Sequence, residues 1–353
     1  MTAKSNDSLL TDFKEGDFSM KIITVEEHFE SKKINQAIRD QSGQAVVPEM
    51  SQEMQAYMSH ELPNWRVLQD TTRYRLKFMD RYGIDLQLLS YGNSSPQNLA
   101  PANAIPLCQQ ANDELARVIA TQPTRFAGLA VLPVGDPTAA ATELKRAVTQ
   151  LGFKGALLKG NFQGKFFDEE MFFPLFAMAS QLDVPVYLHP SFIPPEIAQH
   201  YFAHSNWSET VTGILATAGF GWHMDSGIQV MRLILSGIFD KLPNLKIISG
   251  HWGEFIPYFL ERLDDELTAF VKLEKPFSTY YRQNVYVSPS GILSEPQLRF
   301  LKDELGPEHL LYSLDYPYKQ PAKSNSFLQT KILSANEKEM FAHQNAEKIF
   351  HLV

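Results

Sequence analysis

A closed barrel of eight parallel strands alternating with helices is the fold this sequence predicts, and three observations predict it. Short β-rich runs recur eight times, segments of helical period separate them, and ligand-type polar residues stand at the ends of several runs. An open doubly wound sheet more often shows about six strands and a glycine-rich phosphate turn after the first, and no such turn follows here.

The runs are IITVEEHF (22–29), DLQLLSYG (85–92), FAGLAVLPV (126–134), GALLKG (155–160), VPVYLHP (184–190), LKIISGH (245–251), VYVSPSG (285–291) and LLYSLDYP (310–317). TTRYRLKFMDRYG precedes the second, NDELARVIATQ the third, TAAATELKRAVTQLG the fourth and EMFFPLFAMASQLD the fifth, each amphipathic at helical spacing. Two connections are long, 30–66 after the first strand and 191–221 after the fifth. Long loops on the C-terminal face of such a barrel cover the active-site mouth. With no repeat, linker or low-complexity tract to divide it, the chain reads as one barrel domain over 21–353, preceded by a polar, flexible tail over 1–20.

Composition excludes several function classes. The 353 residues carry a formal charge of −8, without the concentrated basic face that nucleic acid or an anionic membrane requires. No stretch reaches the roughly 18 apolar residues of a membrane span, and the N-terminal tail lacks the apolar core of a signal peptide, so the expected compartment is the cytoplasm. The single cysteine, Cys108, rules out an internal disulfide and a cysteine-rich zinc site, leaving histidines and carboxylates to hold any metal.

Those residues converge. Glu26 and His28 close the first strand; two positions apart on extended backbone, they point to one side. His189, His251 and Asp315 end the fifth, sixth and eighth strands, each after an apolar run. One histidine at a strand end is ordinarily a hydrogen-bonded structural residue. Five ligand-type groups on one rim, two of them carboxylates that repel each other, are reconciled by a divalent cation. Imidazole with carboxylate suits zinc, manganese or iron rather than calcium.

The motifs VEEHF (25–29), RLKFMDRYGID (75–85), RFAGLAVLP (125–133), LGFKGALLKG (151–160), VPVYLHP (184–190), RLILSGIFDKLPNLKIISGHWGE (232–254) and LYSLDYPY (311–318) together resemble the amidohydrolase-related decarboxylases. That family includes γ-resorcylate, 2,3-dihydroxybenzoate, 5-carboxyvanillate and 2-amino-3-carboxymuconate-semialdehyde decarboxylases, and the resemblance spans nearly the whole barrel. It implies that Glu26, His28, His189 and Asp315 hold one divalent metal ion, zinc or manganese. It also implies that His251 is a catalytic histidine, with Glu254 orienting it from one turn into the following helix. A homodimer or homotetramer is implied as well, with Arg262 reaching a neighbouring subunit's site; the plainer alternative pairs Arg262 with Glu261 or Asp265 on its own helix. Lys159 stands where binuclear hydrolases of the wider superfamily carry a carboxylated lysine. Such sites usually begin with an H-x-H pair, and Glu26 occupies the first position here, so one metal is expected, with Lys159 a solvated or substrate-facing cation.

On this reading the substrate is a small hydroxylated aromatic, or unsaturated, carboxylic acid, decarboxylated without an organic cofactor. Asp315 donates the proton that replaces carbon dioxide, His251 with Glu254 orients or polarises the substrate, and Tyr318, Arg262 and Lys159 contact it. Tyr201, Phe202, Trp207, Phe220 and Trp222 in the second long loop suit a flat ring, a packed lid or a subunit interface equally, while His204 and His223 read as solvated. The same barrel could hydrolyse a lactone, ester or amide with Asp315 accepting the proton of water, or bind a ligand without turnover, and the sequence leaves both open.

Overall fold

The computed structural model describes residues 20–42, 50–93 and 95–352. The tail expected over 1–20 lies, apart from Met20, outside the described residues. Among the described residues seven parallel strands form in chain order: β1 (Ile23–Phe29), β2 (Leu86–Tyr91), β3 (Phe126–Gly128), β4 (Ala156–Lys159), β5 (Val186–His189), β6 (Ile247–Ser249) and β7 (Val285–Val287). They pair as two sheets, β1-β2-β3 and β4-β5-β6-β7. A parallel bridge between Ala130 and Ala156 joins the sheets on one side, and residues 310–316 close the other through bridges from Leu310 to Val287 and from Tyr316 to Glu27. The result is the expected eight-membered (β/α)₈ barrel, a TIM barrel.

The eighth run therefore forms bridges rather than the regular strand expected over 310–317. Glu27 supplies the physical reason: its two carboxylate oxygens accept the Leu314 and Tyr316 amide hydrogens, each at 3.0 Å. A side chain takes the place of strand pairing on both sides of Asp315. Asp315 itself has φ +61°, which breaks the extended backbone, and its own N–H returns to the Glu26 carbonyl at 3.0 Å.

Strand alternation sorts the core. Ile23, Val25, Leu88, Leu157, Tyr187, Ile248 and Leu311 fill the barrel, with Ile349 and Phe350 of the last helix packed against them. Phe29, Leu89, Phe126, Leu158, Leu188, Ile247 and Val287 pack between strands and helices. In β1 this alternation shifts: Thr24 pairs with Gln87 but Glu27 pairs with Leu89, so β1 carries an extra residue between them. The bulge lets Glu26 and His28 follow Val25 inward and turns Glu27 and Phe29 outward, the re-aiming that bulges produce beside active sites.

Each expected helix is present. Helix Tyr74–Tyr82 stops at Gly83 in a left-handed cap, and helix Pro137–Leu151 starts on an Asp136 N-cap and stops at left-handed Gly152. The third-strand helix starts at Pro101 rather than near Asn112, Pro101 serving at its first turn. Both long connections contain helices. Gln52–Glu61 in the first and Glu209–Ile214 in the second meet: a Cβ on Gly213 would lie 2.7 Å from Met54 Sδ, and Thr210 N–H donates to Glu53 at 3.2 Å. Residues 43–49 of the first connection lie outside the described residues. Among the described residues, no helix is long and apolar enough to cross a membrane.

Candidate metal centre and active site

Strand ends bring Glu26, His28 and His189 together, with one ligand atom from each inside a mutual 4.8 Å. His189 Nε2 faces Glu26 Oε1 at 3.5 Å, and His28 Nε2 faces Asp315 Oδ1 at 3.1 Å. The two imidazole rings meet edge to face with centroids 4.8 Å apart. Glu26, His28 and His189 each have a partner on the far side. His189 Nδ1 donates to the Pro190 carbonyl at 2.7 Å, which leaves Nε2 with the lone pair, and His28 Nδ1 faces Ser90 Oγ at 3.4 Å. Glu26 Oε2 accepts the hydroxyls of Tyr187, at 2.5 Å, and of Ser290. Glu26 Oε1 is buried and has no hydrogen-bond partner among the described residues.

That orphaned oxygen is the test of whether a metal fits. A buried carboxylate oxygen without a donor costs about 1–3 kcal/mol or more, and a divalent cation removes the deficit. The electrostatics agree. Burial, reinforced by Asp315, raises the Glu26 carboxyl against the opposing pull of His251 and His28. Burial, together with electrostatic opposition from the His28 ring and Lys159, holds His189 well below the usual histidine range, so its ring is neutral as a ligand must be. One open nitrogen from each of two imidazoles and two carboxylates make a donor set suited to zinc or manganese.

His251 and Glu254 meet as expected, Nδ1 to Oε1 at 2.8 Å, but the backbone between them is not a helix. His251, Trp252, Gly253, Glu254 and Phe255 all have positive φ, between +46° and +80°, so Glu254 sits in a left-handed turn. Trp252 N–H to the Ser288 carbonyl at 2.8 Å and His251 N–H to Ser290 Oγ at 2.8 Å tie this turn to the end of β7. His223, expected to be solvated, is instead buried: its Nδ1 pairs with Glu254 Oε2 at 2.8 Å and its Nε2 lies 3.1 Å from the Ala218 carbonyl oxygen. Burial alone would push the Glu254 carboxyl up, but the His251 charge and the two histidine hydrogen bonds hold it below the ordinary carboxylate value. Burial likewise opposes the His251 cation, yet Glu254 and Glu26 push that imidazole up to about 9; a divalent ion nearby would act the other way.

A cavity of about 190 Å³ opens beside these groups, bordered by His28, Lys159, His189, His251, Asp315 and Tyr318 and walled by Met54, Tyr57, Phe192, Trp222 and Ile292. Lys159 is not solvated. It is 6% exposed, its Nζ donates to the Gly92 carbonyl at 2.8 Å and to Asn93 Oδ1 at 3.2 Å, and burial lowers its pKa to about 8. Tyr318 packs edge-on against His28 and takes an N–H from Asn93 at 3.4 Å. Arg262 lies away from the cavity on an exposed helix, paired at 3.3 Å with Glu266 rather than with Glu261 or Asp265. Of the loop aromatics, Trp222 walls the cavity and Phe202 is buried, while Tyr201, Trp207 and Phe220 are exposed. His204 is exposed and stacks on Trp207.

Sequence reasoning missed Tyr187, Ser290, Asn93 and His223. Tyr187 carried a signal, since two residues before His189 on one strand it shares that face. His223 carried none that spacing could show.

Comparison with known proteins places this geometry. The amidohydrolase family model Amidohydro_2 matches residues 58–352. Decarboxylase orsB of Emericella nidulans is 37% identical over 284 residues, covering 78% of this chain and 84% of that one. Gamma-resorcylate decarboxylase of Rhizobium sp. is 32% identical over 343 residues, covering 94% and 98%. Among solved structures, the dihydroxybenzoic acid decarboxylase of Polaromonas sp., with bound manganese and the inhibitor 2-nitroresorcinol, superposes with a TM-score of 0.81 at 30% identity, covering 94% of this chain and 97% of that one. The barrel, the converging ligands and these matches lead to one assignment: the chain belongs to the amidohydrolase family, within its decarboxylase-related branch.

Proposed function

We propose that this protein is a metal-dependent, non-oxidative decarboxylase of a small hydroxylated aromatic carboxylic acid. The observation that carries the reading is the orphaned Glu26 Oε1, buried among His28, His189 and Asp315 at the end of a cavity with aromatic walls. Relatives that decarboxylate hydroxylated aromatic acids favour this over hydrolysis on the same barrel or ligand binding without turnover.

Glu26, His28, His189 and Asp315 would hold one divalent ion. Manganese has the precedent of the Polaromonas enzyme, and zinc accepts the same donors. When bound, the ion draws electron density from substrate oxygens and so stabilises charge that develops on the ring. No organic cofactor is needed. Lys159 and Tyr318 place a cation and a phenol at the cavity edge, where they bind the substrate carboxylate or hydroxyl. Asp315 takes the proton of the substrate's ortho hydroxyl and delivers it to the ring carbon that bears the carboxylate. The carbon–carbon bond then breaks, its electron pair stays with the ring, and carbon dioxide leaves. His251, held through Nδ1 by Glu254, turns Nε2 to the substrate and orients it. Lys159 Nζ, turned to Gly92 and Asn93, supports one metal rather than a lysine-bridged pair.

Residues 21–353 act as one barrel, with 1–20 an appendage. The protein works in the cytoplasm as a homodimer or homotetramer. Phe255, Tyr258 and Phe259 are exposed apolar side chains shortly before Arg262 in sequence, and a second copy covering them would bring Arg262 towards a neighbouring site. The test is carbon dioxide release from ortho-hydroxybenzoates and related acids by metal-analysed protein and its Asp315→Asn variant. Metal-dependent release by wild type and at least about 10²-fold less by the variant supports the reading. Bound metal without turnover of any acid moves the search to lactones and esters.

A further inference from the structure

Both oxygens of the Glu254 carboxylate are gripped by histidines, Oε1 by His251 and Oε2 by His223, each at 2.8 Å. We infer that His223 is a positioning residue, holding Glu254 in the one orientation that presents His251 to the substrate. The inference rests on the role proposed for His251.

Three observations carry it. Although His223 borders the cavity, its nitrogens are committed to Glu254 and to the Ala218 carbonyl, so it acts through Glu254 and not on the substrate. Glu254 lies in a left-handed turn, buried, and each of its two carboxylate oxygens meets one histidine, so each histidine fixes one end of the carboxylate's rotation about its last bond. The helix bearing His223 is seated on that turn. A Cβ on Gly227, one helical turn later, would lie 2.5 Å from the Glu254 carbonyl oxygen, so close backbone packing sets the reach of His223.

The test compares His223→Phe, which keeps a ring without a donor, with His223→Asn, whose amide nitrogen falls near the Nδ1 position and still reaches Glu254. With metal content and thermal midpoint unchanged, His223→Phe is expected to lower kcat about 10- to 100-fold with KM within about threefold, and His223→Asn to recover kcat to within about threefold of wild type. A crystal structure of the metal-loaded His223→Phe protein reads the same claim without turnover: Glu254 is expected rotated away from His251. An undisturbed 2.8 Å His251–Glu254 pair overturns the inference, as does an equal loss of kcat in both variants. Metal analysis giving two ions per wild-type chain and one in His223→Phe also overturns it, because His223 would then be a ligand. If wild type decarboxylates nothing, the proposed function falls while the crystal structure still decides the role of His223.

Discussion

Tyr187→Phe perturbs the metal centre by one oxygen atom and little else. The Tyr187 ring is fully buried inside the barrel, and phenylalanine preserves that packing, so no cavity cost enters. What disappears is the hydroxyl that donates to Glu26 Oε2 at 2.5 Å and lies 2.9 Å from Ser288 Oγ. Burial and the Glu26 charge hold the Tyr187 phenol well above its ordinary range, so it remains a donor at every working pH. A hydrogen bond to a charged group contributes about 1.5–3 kcal/mol, and each 1.4 kcal/mol is about tenfold in affinity. If the bond orients Glu26 as a ligand, Tyr187→Phe weakens metal binding by about 10- to 100-fold. Ser290 grips the same oxygen and sets the upper limit, so Tyr187→Phe with Ser290→Ala is expected to lose more than the sum of the single changes. Competition against a chromogenic chelator measures the affinity, and denaturation of the metal-free forms corrects for stability. Unchanged affinity would refute the reasoning, because Glu26 would then bind no metal or need no orienting.

Three further outcomes follow from the same geometry. Lys159→Met removes a buried cation that contributes about 1.5–3 kcal/mol to an anionic substrate, so KM is expected to rise about 10- to 100-fold with metal content unchanged; a fall in metal content from two to one would instead mark Lys159 as a bridge. Gly227→Ala forces a methyl to 2.5 Å from the Glu254 carbonyl oxygen, and overpacking of this kind costs about 1–3 kcal/mol by urea denaturation. A smaller change would mean the helix is not firmly seated there. Burial lowers His309 below its ordinary 6.5, with its Nδ1 donating to the Val285 carbonyl. The unfolded chain therefore binds the proton more tightly, so the neutral buried His309 stabilises the fold fully above 6.5, and that stabilisation is lost as pH falls through and below it. His309→Gln should flatten the stability-versus-pH curve on the acid side, by at most about 1.4 kcal/mol per pH unit, and an unchanged slope would contradict the assignment.

Much of the site was legible because the barrel reduces it to positions at strand ends. Glu26 and His28 are read from an i, i+2 spacing, and His189 and Asp315 from apolar runs that stop at a polar residue. What stayed hidden depends on backbone that departs from regular geometry. The β1 bulge decides that Glu26 and His28, rather than Glu27, face inward, and nothing in VEEHF announces it. GHWGE reads as a helix start, yet His251, Trp252, Gly253 and Glu254 take positive φ, a conformation that side chains other than glycine rarely adopt. The eighth strand looked like its neighbours, and only the three-dimensional reach of Glu27 shows why its ladder is interrupted. His223 meets Glu254 from a helix 31 positions earlier, a contact no local pattern encodes. Arg262 illustrates the limit of a single chain: its surroundings in an assembly are not written in its own helix.

The central claim is that Asp315 replaces a carboxylate with a proton at a metal-dependent site, and isotope labelling tests it directly. The metal-loaded enzyme would be run in D₂O on 2,6-dihydroxybenzoate carrying a ¹³C carboxyl group, with gas and product read by mass spectrometry and NMR. The account predicts labelled carbon dioxide and one deuterium at the vacated ring carbon, both lost after chelation and both reduced at least about 10²-fold in Asp315→Asn. Labelled carbon dioxide released equally by metal-free protein, or an undiminished rate in Asp315→Asn, would contradict it.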